Sequence, residues 1–142
     1  MLKKICVGHD GSDNSQRAFD FALEMCALCP GAAFEVSVLS VVVPPELPDA
    51  SFNADEIVAS MKSRHERLLS QLTERAKAKN VELRTELRVG DAAQEILKYI
   101  QEKSIDLIIV GQRSKGVIDE FILGSVSRRV VRYATCATTV VR

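Results

Sequence analysis

Two stretches carry residue types whose spacing suits one task, the binding of a phosphorylated ligand. In the first, Gly8-His9-Asp10-Gly11-Ser12, an apolar run ends and a carboxylate sits between glycines just before a helical pattern. The second runs from Leu107 to Val130, LIIVGQRSKGVIDEFILGSVSRRV. There a short apolar run ends at Gly111, a polar turn follows, and Gly124-Ser125 opens a new helical pattern. Strand, glycine-bearing loop and helix N-terminus together make an anion site: glycines let the backbone approach the ligand, and the first helical N–H groups have no intrahelical partners. The chemistry suggested is binding rather than turnover. The sequence holds no nucleophile elbow, metal-ligand cluster or paired-carboxylate constellation. Its loop also lacks the GK[ST] ending that sets a lysine against terminal phosphates in P-loop enzymes. Asp10 with a nucleotide-bound Mg²⁺ would support slow hydrolysis at most, since no residue is placed to position an attacking water.

The elements that must hold these residues follow from periodicity. Residues 2–8 read as a first strand. A helix follows, with Ser12, Asp13 and Asn14 as N-cap candidates, an inner face of Ala18, Phe21, Ala22, Met25 and Cys29, and Pro30-Gly31 as its stop. Residues 33–43, rich in β-branched and aliphatic side chains, predict a second strand ended by Pro44, Pro45 and Pro48. A long helix is expected from Asn53 to about Lys79, with Asn53 and Glu56 in capping-box spacing and Ile57, Met61, Leu68, Leu72 and Ala76 facing inward. Residues 81–89 alternate apolar and charged residues, as an edge strand with one wet face does. Asp91 caps a third helix with Gln94, and Ala93, Ile96, Leu97 and Ile100 form its inner side. Residues 107–110 make a fourth strand, a fourth helix starts at Gly124-Ser125 with Val126, Val130 and Ala134 inward, and residues 137–141 close the chain as a fifth strand.

Five strands alternating with four helices predict an α/β fold with a mostly parallel, doubly wound sheet, formed as one domain over residues 1–142. For strand order 3-2-1-4-5 the order reverses between strands one and four, where such sheets bind ligands. Asp10 and Gly111 would then face each other across the crevice.

Composition narrows the partners. Nineteen basic and nineteen acidic residues cancel, so no net field recruits nucleic acid or an anionic membrane. Aromatics are 5% of the chain and tryptophan is absent, which leaves little for base stacking. The start of the chain shows no signal-peptide pattern and no apolar run approaches the ~20 residues of a bilayer span, so a cytoplasmic location is the expectation.

VGHDGSDNS after the first strand, GDAAQEIL after the third and GQRSKGVIDEFILGSVSRRV near the end, in matching order and spacing, resemble the universal stress protein family over essentially the whole chain. The resemblance implies a five-stranded fold of the adenine nucleotide alpha hydrolase-like type. It also implies an ATP-binding (or ADP- or AMP-binding) regulatory protein, Mg²⁺ with the nucleotide, and a homodimer formed through the C-terminal strand. It places Gly8, His9 and Asp10 along the nucleotide crevice, with Asp10 near the ribose or a phosphate-bound metal. Backbone groups of Val41 would meet the adenine edge. Val110, Gly111, Arg113 and Ser114 would flank ribose and phosphates, and Gly124, Ser125 and Val126 would hold phosphates.

One departure stands out. The ATP-binding branch carries Gly-x2-Gly-x9-Gly-Ser/Thr; Gly111, Gly124 and Ser125 fit, but Ser114 replaces the second glycine and Gly116 does not restore the register. Serine restricts the backbone dihedrals that glycine allows, although its hydroxyl can donate to a phosphate oxygen. The departure motivates a second reading, a nucleotide-free dimer that acts by contacting protein partners, its short apolar last strand (ATTVV) paired with a copy of itself. A third makes Cys26 and Cys29, in CxxC spacing, a redox switch; structural thiols are favoured over it because no second CxxC or histidine pair accompanies them. Asp10 alternatively caps the first helix. His9 is expected to be structural or solvent-facing, and His65 to sit on the exposed part of the long helix.

Overall fold

A computed structural model describes residues 1–46, 53–112 and 123–142. Its elements are β1 (Lys4–Gly8), α1 (Asp13–Leu28), β2 (Glu35–Val42), α2 (Ala54–Ala78), β3 (Leu83–Val89), α3 (Ala92–Lys103), β4 (Leu107–Gly111), α4 (Ser125–Tyr133) and β5 (Ala137–Val141). A single 3₁₀ turn, Pro30–Ala32, follows α1. All strand pairs are parallel, in the order β3-β2-β1-β4-β5. The doubly wound sheet expected from the alternation is therefore the one observed.

Caps act where their residues predict. Asn53 accepts the Glu56 N–H at 3.4 Å and Asp91 accepts that of Gln94 at 2.9 Å, each satisfying a donor that its helix leaves free. Alternation along the central strands divides the core in two. Ile5, Val7, Val38 and Ile109 point to α1 and α2, whereas Cys6, Leu39, Ile108 and Val110 point to α3 and α4. The first layer is closed by Phe19, Leu69 and Leu72, and the second by Ile96, Ile100 and Val130.

Three expectations need correction. The buried stripe of α1 is Ser15, Ala18, Phe19, Ala22 and Leu23. Phe21 is instead 38% exposed, Met25 is only partly buried and Cys29 is exposed. At about 100° per residue, a face centred on Ser15, Phe19 and Ala22 turns Phe21 to its margin. On α2 and α3, Leu69 and Tyr99 join the predicted inner faces, while Ile57, Met61, Leu68 and Leu97 are half-buried. The wet face of β3 is also drier than its charges suggest. Only 17% of the Arg88 side chain is exposed, and it pairs with Glu86, Glu95 and Glu102 and lies over the Tyr99 ring. Those partners hold its guanidinium firmly in the charged form, against the effect of burial.

Candidate functional site

The crevice opens where the strand order reverses, between β1 and β4. The sheet leaves backbone groups free there. The last bond between β1 and β2 runs from the His9 N–H to the Leu39 carbonyl at 3.0 Å. Val41 points its N–H and C=O to the same side as Leu39, but β1 has ended, and these groups have no hydrogen-bond partner among the described residues. Ser40 and Val42 face β3 instead, as the bond from the Gly90 N–H to the Val42 carbonyl shows. Val41 thus offers an unpaired donor and acceptor to the crevice.

On β1's side the chain turns sharply into α1, with Gly11 at φ +88°, a conformation that favours glycine. Ser12, not Asp10, is the N-cap, its hydroxyl accepting the Ser15 N–H at 3.2 Å. Asp10 therefore does not cap the helix in the usual way. Its Oδ1 accepts the Ser12 N–H (2.9 Å) and the Ser15 hydroxyl (2.7 Å), and Oδ2 has no partner among the described residues. Partial burial pushes the Asp10 carboxyl up, but the bonds from Ser12 and Ser15 outweigh it and hold it below the ordinary carboxylate value. The result is a fixed carboxylate with one oxygen to spare.

Opposite, β4 ends at Gly111. A Cβ there would lie 2.5 Å from the backbone carbon of Asn14, so α1's first turn rests directly on this residue. The Asn14 side-chain amide donates to the neighbouring Gln112 carbonyl. Glycine at this position is thus required by helix packing, a reason distinct from the ligand approach read from the sequence. Beyond it, α4 begins at Gly124, an N-cap with no side chain to offer its first-turn N–H groups. The Ser127 hydroxyl returns to the Gly111 carbonyl at 3.0 Å.

These walls enclose a cavity of about 460 Å³, a size ordinary for a small-molecule site. Gly8, His9, Asp10 and Val41 line it on one side, and Val110, Gly111 and Val126 on the other. Gly124 and Ser125 stand at the α4 N-terminus but do not line it, and Ser125 is exposed. Arg113 and Ser114 lie outside the described residues. Sequence reasoning missed Ser15, Ser127, Met61 and His65, which also line the cavity. The Ser-x-Ser pattern after Gly124 was a usable signal for Ser127; His65 had none, because its partner is on another element.

Both histidines belong to this region. His9 is 3% exposed, its Nδ1 accepts the Gly11 N–H at 3.0 Å, and the Nε2 left to carry the ring proton has no hydrogen-bond partner among the described residues. Burial lowers its pKa, with the Asp10 charge partly opposing. His65 corrects its expectation: it is half-buried, and its Nδ1 lies 2.6 Å from the Ser40 hydroxyl of β2. Burial and, next, the Arg64 charge lower its pKa.

Among the described residues no group of three or more His, Cys, Asp or Glu side chains could hold a metal ion, and no helix is long and apolar enough to cross a membrane. The four cysteines are unpaired. Burial pushes the Cys6 thiol up to about 12 and raises that of Cys26.

Comparison with known proteins agrees with this architecture. The profile described as the universal stress protein family matches residues 1–142. Universal stress protein YxiE of Bacillus subtilis is 33% identical over 151 residues, covering 100% of both chains. Among solved structures, universal stress protein UspA from Lactobacillus plantarum superposes with a TM-score of 0.85 at 23% identity, covering 99% of this chain and 98% of that one. A universal stress protein family protein from Arabidopsis thaliana, solved with AMP bound, gives a TM-score of 0.71 at 20% identity, covering 98% and 90%.

Proposed function

The chain belongs to the universal stress protein family, and from that premise we propose that it is a cytoplasmic, adenine-nucleotide-binding regulatory homodimer without rapid catalysis. One observation carries this reading: the unpaired backbone of Val41, the spare oxygen of Asp10 and the end of β4 converge on one cavity at the strand-order reversal. The Val41 N–H and C=O form a donor–acceptor pair suited to the edge of adenine, and Val43 and Met61 supply apolar wall for its faces. Asp10 Oδ2 suits a ribose hydroxyl or a Mg²⁺ carried by the phosphates, since that ion is usually held by one or two carboxylates plus phosphate oxygens. Phosphates would meet the uncapped N–H groups of α4, at Ser125 and Val126. AMP bound to the Arabidopsis relative supports the same ligand class. Arg113 and Ser114 complete the proposed phosphate loop from the motif alone.

The homodimer would form through β5, an uncharged strand at the sheet edge. Calorimetry with AMP, ADP and ATP tests the nucleotide reading, and micromolar to sub-millimolar binding of at least one is expected. Absence of binding at millimolar ligand would instead favour the nucleotide-free interaction protein, which the serine at position 114 supports.

A further inference from the structure

His65 sits outside the motifs that define the site, yet its ring is fixed in one orientation and one protonation pattern. The Ser40 hydroxyl is fully buried and has a single proton. It lies 3.0 Å from the His9 carbonyl, which only accepts, and 2.6 Å from His65 Nδ1. Both contacts are satisfied in one arrangement: Ser40 donates to the carbonyl and His65 Nδ1–H donates to Ser40. The reverse would leave the buried carbonyl without this bond, at a cost that buried polar groups avoid. Neutral His65 therefore carries its proton on Nδ1 and presents a bare lone pair at Nε2. That atom has no protein partner among the described residues, and the ring lines the cavity with Met61, one turn earlier on α2. His9 has the opposite tautomer, because its Nδ1 is the acceptor.

We propose that His65 is a specificity-determining residue of the nucleotide site, its Nε2 accepting a hydrogen bond from an N–H or O–H donor on the nucleoside part of the ligand. This role rests on the nucleotide reading above. Two ligand groups have the required chemistry, the exocyclic amine of adenine and a ribose hydroxyl. A ligand presenting an acceptor to Nε2 would leave two lone pairs opposed, and such a mismatch is how a polar site rejects a near-isostere. Ser40 and the His9 carbonyl act through His65 as positioning groups, tying it to the ends of β2 and β1.

Two measurements test this. Long-range ¹H–¹⁵N correlation spectra of the free protein at pH 7.5 should show His65 as the Nδ1–H tautomer and His9 as the Nε2–H tautomer. An Nε2–H His65 overturns the proposal whatever the protein binds. Calorimetry is then run with AMP, IMP, 2′-deoxy-AMP and 3′-deoxy-AMP on wild type, His65→Phe and His65→Leu, with circular dichroism confirming the fold. Wild type should bind AMP roughly 3- to 10-fold tighter than the analogue lacking the donor, the range of one net hydrogen bond. The analogue whose deficit shrinks in the His65 variant identifies the group, IMP the amine and a deoxy analogue the hydroxyl, because Val41 and Asp10 keep their own share of the discrimination. His65→Phe should lose the same factor for AMP and narrow the discrimination by that factor; His65→Leu, which also cannot accept a hydrogen bond, replaces it if the Phe variant is unfolded. Equal wild-type affinity for all four, or a folded His65 variant that keeps the preference undiminished, overturns the role while leaving nucleotide binding intact. A wild type that binds none of them overturns both readings.

Discussion

The Ser127 hydroxyl donates to the Gly111 carbonyl at 3.0 Å, joining the first turn of α4 to the last residue of β4. The two ends of the stretch that first suggested an anion site are thus bonded to each other. Ser127→Ala should remove about 1 kcal/mol, the net value of such a bond, with a further cost if the carbonyl stays dry. Urea unfolding measures the loss. Nucleotide affinity should fall with it, because the α4 N-terminus is no longer tied to the crevice.

Gly111→Ala is expected to be more damaging. The added methyl would meet the Asn14 backbone at 2.5 Å and the Ser15 nitrogen at 2.8 Å, neither of which can move aside as a side-chain tip can. Overpacking of this kind costs about 1–3 kcal/mol. Chemical denaturation should show that loss without any ligand present, which separates the packing role of this glycine from a ligand role.

Stability should fall with acid through the histidines. The folded pKa of His9 lies below its unfolded value of about 6.5, so the fold favours the neutral ring. Above the unfolded value both states are neutral and the contribution is complete. As pH drops below it the unfolded chain takes up the proton first, and stability declines towards the folded pKa. The urea midpoint should therefore decrease between pH 7.5 and 5.5. His9→Asn, which can still accept the Gly11 N–H from two residues before it, should flatten that slope.

Replacing Arg88 by Met leaves Glu86 and Glu102 without their shared cation and Glu95 with Lys98 alone. The side chain is only 17% exposed, between the surface and buried regimes of ion pairs. A loss of roughly 2–3 kcal/mol is expected, read as a lower thermal midpoint that recovers partly in high salt.

Thiol titration should order the cysteines by burial. Cys29 is exposed and should react in the native protein, Cys26 and Cys136 should be slower, and Cys6 should react only after unfolding. Rapid native reaction of Cys26 together with Cys29 would revive the redox switch, which the raised Cys26 thiol pKa does not favour.

Much of the architecture was legible because it is written locally. Asn53 and Asp91 cap the helices their spacing predicted, and the last strand, Ala137–Val141, has the bounds read from its composition. Asp10 and Gly111 line one cavity because the order β3-β2-β1-β4-β5 brings the ends of β1 and β4 together. What escaped was set by contacts between elements. Phe21 yielded its expected place to Phe19 because the sheet selects which flank of α1 to cover. Arg88 looked like surface until α3 laid Glu95 and Glu102 over it. His65 lies 25 residues from Ser40 in sequence, and neither carries a local pattern announcing the pair.

The two rims of the sheet are chemically unlike. β3 carries Arg84, Glu86 and Arg88, whereas β5 offers alanine, threonines and valines without a charge. A strand rim with exposed amides is a connector, and the proposed homodimer would use the uncharged one, while the charged side chains along β3 discourage pairing there. Valency for strand-to-strand growth would then be one. Pairing two copies would exhaust it and leave charged rims at both ends, so the same feature that invites a pair prevents a fibre.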